Sequence, residues 1–318
     1  MTVIGVLAVG VAVVGLVARY MPIRNDTLLV VAASSPYLMA AGPVGMILLA
    51  IGRQWVSTVL AACLCVVMVG VQLPRYVGPK TGGPPAAAVR VMSANLRYGQ
   101  ADPHAVVALA RDSADVLVVQ EMTPQAASGL LAAGVDDTFP HRVIDPRDQA
   151  AGIGIWSRFP IGESGSIGGY ALPVLRARIR VPDVVIEPTV VAVHLAAPWV
   201  QPIELWQQDM ARLQSTLHEL ARDAGADAVI VAGDLNATFD MMPFRRLLSE
   251  GYRDAAEQAG AGLTRSYPRR PRRPPMLGID HVLVHNCVAT SARTVVVRKS
   301  DHRGLLVTVD VPLDLTAG

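Results

Sequence analysis

Several short apolar runs in this chain begin or end in residues able to do chemistry. Val229–Ala232 reads as a buried strand that stops at Gly233 and then presents Asp234 and Asn236. These two are two apart, so in extended geometry their side chains leave the same face. A carboxylate beside a carboxamide can hold a water, a phosphate oxygen or a metal-bound ligand. Val91–Ala94 runs into Asn95, Val116–Gln120 into Glu121, and Val190–Val193 into His194. Ile279–Val284 opens with Asp280, and Ser300–Asp301–His302 precedes the last apolar run, Leu305–Val311. Each alone has a plain structural reading: Asp-x-Asn is a common turn, and a single His is more often structural. A buried strand that ends at a Gly and an acidic residue, however, usually delivers chemistry at its C-terminal end.

Hydrolysis of a phosphoester requires a cation to neutralise the phosphoryl oxygens, a group to activate water, and donors for the developing charge. Glu121 at a strand tip suits a magnesium ligand, since this ion prefers oxygen donors and often takes only one or two carboxylates. His302 suits a base, provided its other nitrogen has a partner that fixes tautomer and orientation. No Ser or Cys nucleophile is needed, and Ser300 reads as a turn residue.

Together and in this order, the segments resemble the endonuclease/exonuclease/phosphatase superfamily, the DNase I-like metal-dependent phosphohydrolases. The resemblance spans roughly Ala88–Leu313, and its most specific pieces are GDLNAT and SDH. It implies an α/β fold, a four-layer sandwich of two mixed sheets face to face with helices outside. It also implies that Glu121 is the principal metal ligand, assisted by Asn95, and that Asp301 is a metal-site carboxylate for Mg²⁺ or Mn²⁺. Asp234 would orient or deprotonate the attacking water, and Asn236 and His194 would bind the phosphate. Asp280 would pair with His302. Which of Asp234 and His302 removes the proton stays open. The family's Ile-Asp-Tyr motif reads Ile279–Asp280–His281 here, a departure that touches the third position and leaves the Asp–His pair intact.

The elements that must position these groups are legible in outline. Strands are expected at Val89–Ala94, Asp115–Gln120, Gly152–Ser157, Thr189–His194 and Val229–Gly233. Asp102 and Pro103 signal a helix through Arg111, and Thr123–Pro124 another to about Ala133. Trp206–Arg222 carries Leu213, Leu217 and Leu220 at helical spacing, so it packs on a sheet. Pro243–Ser249 reads as a short helix. Leu172–Val181 alternates, with Arg176, Arg178 and Arg180 on one solvated face. Leu263–Pro275 holds Arg265, Arg269, Arg270, Arg272 and Arg273 among its prolines. It reads as irregular, either a grip for a polyanion or anionic lipid, or a solvated insertion.

The 318 residues are 52% hydrophobic and 17% charged, with a mean hydropathy of +0.38. That is too apolar for an ordinary soluble enzyme of this length. The excess is concentrated in Thr2–Ala18, Thr27–Ile51 and Gln54–Leu73, all uncharged. Crossing a bilayer core takes about 20 apolar residues. Three transmembrane helices are therefore expected within residues 1–73, followed by a Pro/Gly-rich linker at 74–88 and the catalytic domain at 89–318. The linker, at ~3.1 Å per residue if extended, would hold that domain tens of ångströms from the bilayer. A multi-pass cell-membrane protein follows. Arg19 and Arg24 against Arg53 favour a cytoplasmic domain, whereas membrane-anchored relatives of this layout face outward, and the reading leans outward.

Net charge is only +2, so no broad field gathers nucleic acid. Cys63, Cys65 and Cys287 form neither a disulfide framework nor a zinc spacing. The expected activity is hydrolysis of a phosphomonoester or phosphodiester, with a lipid or lipid-linked phosphate as first choice of substrate. A membrane-tethered nuclease is second. An inactive binding module is third, and is disfavoured because every expected polar position is occupied. Oligomeric state leaves no sign in the sequence.

Overall fold

The computed structural model describes residues 1–78, 85–185, 187–270 and 273–313. Twelve strands form two six-stranded sheets. The first contains β1 (Ala86–Asn95), β2 (Val116–Gln120), β3 (His141–Asp145) and β4 (Ile153–Ser157), with β11 (Val288–Val296) and β12 (Arg303–Pro312). Its order is β11-β12-β1-β2-β4-β3. The second contains β5 (Ile161–Ile167), β6 (Val174–Ile179), β7 (Thr189–His194), β8 (Val229–Asp234), β9 (Arg253–Asp254) and β10 (Asp280–His285), in the order β5-β6-β7-β8-β10-β9. Each sheet is mixed and has one parallel pair at its centre, β1 with β2 and β7 with β8. The expected sandwich of two mixed sheets is present.

Between the sheets lies an apolar layer that includes Val91, Val118, Ile155, Val190, Ile230 and Val307. Alternate residues of the same strands face the outer helices. Met92, Leu117 and Val119 meet the Pro103–Ser113 and Pro124–Ala132 helices, while Val191, Val229 and Val231 meet Trp206, Leu213 and Leu217 of the Ile203–Ala224 helix. Central strands buried on both faces read as continuous apolar runs, which is why they were visible in the sequence. Burying each such side chain contributes about 1.5–3 kcal/mol. Asp102 and Thr123 cap their helices through Ala105 N and Ala126 N as expected.

The edge strands were less legible. β3, β5 and β11 carry mixed polar sequences because only part of each is covered. Arg176 of β6 pairs with Glu163 of β5, and Arg180, just past β6, with Glu187. The arginine face is thus ion-paired.

The expectation of three membrane-spanning helices needs correction. Among the described residues, only Trp55–Tyr76, 22 residues long, is by itself long and apolar enough to cross a membrane. Thr2–Ala18 has 17 residues and is shorter. The middle stretch is broken into Asp26–Ala33 and Ser35–Ile51, bent by 59°, so the count is one span, or two if the bent pair is one. Asn25 caps a short helix by accepting from Leu28 N, and Pro36, lacking an N–H, opens a new one after Ser34.

The stretch read as a linker also begins differently. Leu73–Tyr76 is a 3₁₀ turn with Arg75 buried, and Arg75 O accepts from Gly262 N at 2.7 Å. The helices are docked on the α/β sandwich, and residues 79–84 lie outside the described residues.

Candidate active site

The two parallel pairs bring their C-terminal ends to one end of the sandwich. In β1–β2 the register pairs Asn95 with Gln120, so Asn95 and Glu121 leave neighbouring strand tips. In β7–β8 it pairs His194 with Asp234, and antiparallel β10 places Asp280 beside Asp234. β12 starts just after His302, antiparallel to β1. Gly233 allows this close approach: a Cβ there would lie 1.7 Å from the Val193 carbonyl oxygen.

The side chains form one network. Asn95 Nδ2 donates to Glu121 Oε1 at 2.9 Å and to Asp234 Oδ2 at 3.1 Å. Tyr98 N donates to Glu121 Oε2 at 2.6 Å. His302 Nδ1 bonds Asp280 Oδ2 at 2.9 Å, and its Nε2 lies 3.7 Å from Asp234 Oδ2. His194 Nδ1 donates to the Ala150 carbonyl at 3.0 Å. A carbonyl only accepts, so Nδ1 carries a proton, and Nε2 faces Glu121 and Asp234 at 3.9 Å each. Asn236 N donates to Asp234 Oδ1, and its Nδ2 donates to Leu195 O. Asp301 stands at the rim, with Arg97 Nε 3.8 Å away. All eight residues singled out in the sequence meet at this end.

Glu121 and Asn236 adopt φ of +56° and +49°. For Glu121 this is a costly backbone, of the kind that concentrates at functional sites.

Burial dominates the electrostatics. Loss of solvent, and then the Asp280 charge, push the Asp234 carboxyl up to about 6. Burial alone would lower His302, but the Asp280 and Asp234 carboxylates outweigh it and lift it to about 10. His302 is therefore an imidazolium at neutral pH.

The donor set fits a hard divalent cation. Glu121, Asp234, Asp280 and Asp301 crowd four carboxylates around the His302 imidazolium and Arg97, and Asp280 Oδ1 is buried without a hydrogen-bond partner. Asp234, Asp280 and His302 bring possible ligand atoms within 4.8 Å of one another. Asp280 engages His302 through Oδ2, which leaves its Oδ1 unpartnered, while both Glu121 oxygens already accept hydrogen bonds from Asn95 and Tyr98. The set is oxygen-rich and without thiolate, which suits magnesium or manganese better than zinc.

Residues outside the expected catalytic and metal set complete the site, and Ser300 is the turn residue it was read as. Ser300 Oγ donates to Asn95 O at 2.8 Å and accepts from His302 N at 3.0 Å, tying the SDH turn to β1. The arginine-rich stretch forms a wall. Tyr267 packs on His302 with ring centroids 4.7 Å apart, and Ser266 Oγ accepts from Ile279 N and Asp280 N. Arg269 donates from N to Asp301 O, and from its guanidinium to Ser300 O at 3.1 Å. Arg269 and Arg270 are thus set beside the site, Arg265 instead lies over the Tyr37 ring of the helical region, and Arg272 lies outside the described residues. The signals in the sequence were the run of arginines and its position directly before Asp280. His281 bonds Asp254 Oδ2 at 2.7 Å and the Ala237 carbonyl at 2.9 Å, pinning the loop after β8.

A family model described as "Endonuclease/Exonuclease/phosphatase family" matches residues 92–302. The chain belongs to that family. Its members are metal-dependent hydrolases of phosphate esters. Among solved structures, an endonuclease/exonuclease/phosphatase family protein from Bacteroides thetaiotaomicron is 17% identical, with TM-score 0.57, covering 73% of this chain and 98% of its own. A mannosyl-6-phosphatase from the same organism is 18% identical, with TM-score 0.54, covering 70% and 99%. The D. rerio TDP2 complexed with single-strand DNA product is 18% identical, with TM-score 0.56, covering 70% and 99%. At these identities the likeness concerns the fold. No curated protein matches the chain.

Proposed function

We propose that this protein is a membrane-anchored, divalent-metal-dependent phosphoesterase whose substrate phosphoester is presented by a bilayer, as a lipid phosphate or lipid-linked phosphate. One observation carries the reading: the apolar helices dock on the same loops that leave the catalytic strand ends. Arg19 and Arg75 reach Asp240, six residues beyond Asp234. Tyr37 donates to the Met276 carbonyl, in the segment whose other side places Tyr267 on His302. The helices' outer surfaces stay apolar, with Val3 72%, Val56 78% and Val66 72% exposed. An apolar surface of this extent calls for a lipid or protein cover.

In this reading Glu121, Asn95 and Asp301 hold the cation, which when bound neutralises the phosphoryl oxygens. His194 Nε2 and Asn236 contact the phosphoryl group. Asp234 takes the proton from the attacking water, because His302 already carries two. The His302 imidazolium, oriented by Asp280, stabilises the charge that develops on the phosphoryl or leaving-group oxygen.

The test is a panel of lipid phosphates, lipid phosphodiesters, single- and double-stranded DNA and RNA, offered to the purified full chain with Mg²⁺. Hydrolysis of a lipid substrate supports the reading. Efficient cleavage of nucleic acid with every lipid left intact replaces it with a tethered nuclease, a reading to which Arg97 and Arg270 beside the site would contribute.

A further inference from the structure

The loop that follows β8 carries Asp234 and Asn236 at its start and Asp240 at its end. Asp240 is 1% exposed, and its carboxylate is shared by both ends of the N-terminal helical region. Oδ2 accepts from Arg75 Nη1 at 2.8 Å. Oδ1 accepts from Gln72 Nε2 at 2.8 Å and also from Arg19 Nη1. Arg19 is the C-cap of Thr2–Ala18, Gln72 is the last residue of Trp55–Gln72, and Arg75 lies in the turn that follows. One carboxylate therefore gathers the first and the last apolar helix.

The surroundings make this contact hard to replace. The Arg75 and Arg19 guanidinium carbons stand 4.5 and 5.6 Å from the Phe239 ring centroid. Arg245 closes the arrangement, donating to Asp240 O at 2.6 Å and to Arg19 O. Burial, and then the neighbouring Arg19, lower Arg245 to about 10. Two guanidinium groups hold the carboxylate and a third, Arg245, holds the backbone carbonyl of the same residue, so removing that charge leaves buried cations facing one another.

The loop between Asp234 and Asp240 is short and fastened throughout. Leu235 N donates to Ile279 O, Asn236 bonds Asp234 and Leu195, and the Ala237 carbonyl accepts from His281. Such a segment transmits a shift at one end to the other, and small misplacement at a reacting centre is costly.

We propose that Asp240 is a positioning residue: held by Arg19, Gln72 and Arg75, it sets the loop bearing Asp234 and Asn236, so that turnover depends on the helices being seated on the catalytic domain. The inference rests on the reading of Asp234 and Asn236 as functional residues, but not on the substrate being a lipid.

The experiment uses the full chain in detergent micelles, a small soluble aryl phosphoester (p-nitrophenyl phosphate or its bis-ester), and four variants: Asp240→Asn, Asp240→Glu, Arg75→Gln, and Asp240→Asn with Arg75→Gln. Asp240→Asn and Arg75→Gln should each lower kcat on the order of 10- to 100-fold with KM nearly unchanged. The double variant should lose no more than the worse single one, and Asp240→Glu should regain part of the rate. Amide hydrogen exchange on the same samples should show lost protection across 235–241 while β8 and β10 stay protected. Unchanged kcat and unchanged loop protection in folded Asp240→Asn would overturn the inference. Asp234→Asn separates the two claims. If it retains full activity, the catalytic reading fails, and hydrogen exchange alone then decides whether Asp240 sets the loop.

Discussion

His302 Nδ1 is held 2.9 Å from Asp280 Oδ2 in a buried setting where neither side chain has solvent to fall back on. The contact joins the first residue of β10 to the turn before β12, and so bridges the two sheets at their catalytic end. Asp280 both orients the ring and keeps it charged. If the two act as one unit, Asp280→Ala and His302→Ala should each lower kcat by roughly 10²–10⁴-fold, and the double variant should be little worse than either. Losses that multiply in the double variant would show that the residues work independently.

The protonation states predict a bell-shaped pH profile. Burial and the Asp280 charge raise Asp234 to about 6, so the base form, and with it kcat/KM, should grow as pH rises through that value. His302, raised to about 10 by the two carboxylates against the cost of burial, should lose its proton, and activity with it, near that pH. Asp280→Asn removes a carboxylate that holds the proton, so the alkaline limb should move to lower pH. An alkaline limb in the same place in that variant would contradict this assignment.

Removal of the metal should abolish turnover. EDTA is expected to silence the enzyme, and Mg²⁺ or Mn²⁺ to restore it. Glu121→Ala should need far more Mg²⁺ for half-maximal rate, while Arg53→Ala, outside the site, should not. Full activity in chelator would rule out the metal chemistry.

The wall segment separates structural from substrate-facing arginines. Arg269 is tied to Asp301 and Ser300, so Arg269→Ala should weaken hydrolysis of soluble and vesicle-borne esters alike, by about tenfold or more for a displaced site residue. Arg270→Ala should weaken the vesicle-borne reaction more than the soluble one. Equal losses in both assays for Arg270→Ala would remove the argument for membrane contact by this loop.

Most of what positions the site was legible because chemistry and fold share the same strand ends. β2, β7 and β8 are buried on both faces and show as apolar runs that stop at Glu121, His194 and Asp234, while the apolar runs of β1 and β10, interrupted by Arg90, Ser93 and His281, still lead into Asn95 and out of Asp280. The edge strands β3 and β5 lacked that contrast. The roles of Tyr267 and Asp240, and the tie from the turn residue Ser300 to Asn95, were not legible either, for a different reason. Their roles come from contacts across the fold, Tyr267 with His302, Ser300 with Asn95, and Asp240 with Arg19 and Arg75. No local pattern records such pairings. The helical region was expected to hold three spans because hydropathy counts apolar residues and does not register the cap at Asn25 or the restart at Pro36, where the middle stretch bends.

Surface-dilution kinetics test the central claim most directly. The full chain is reconstituted in vesicles in which the hydrolysed lipid phosphate is diluted with inert lipid, its total concentration held constant. An enzyme whose helices seat the active site at the bilayer should follow the mole fraction of substrate in the surface, with the rate falling as it is diluted, and should leave added single-stranded DNA uncut. A rate that ignores surface dilution, or cleavage of the DNA in preference to the lipid, would contradict the account.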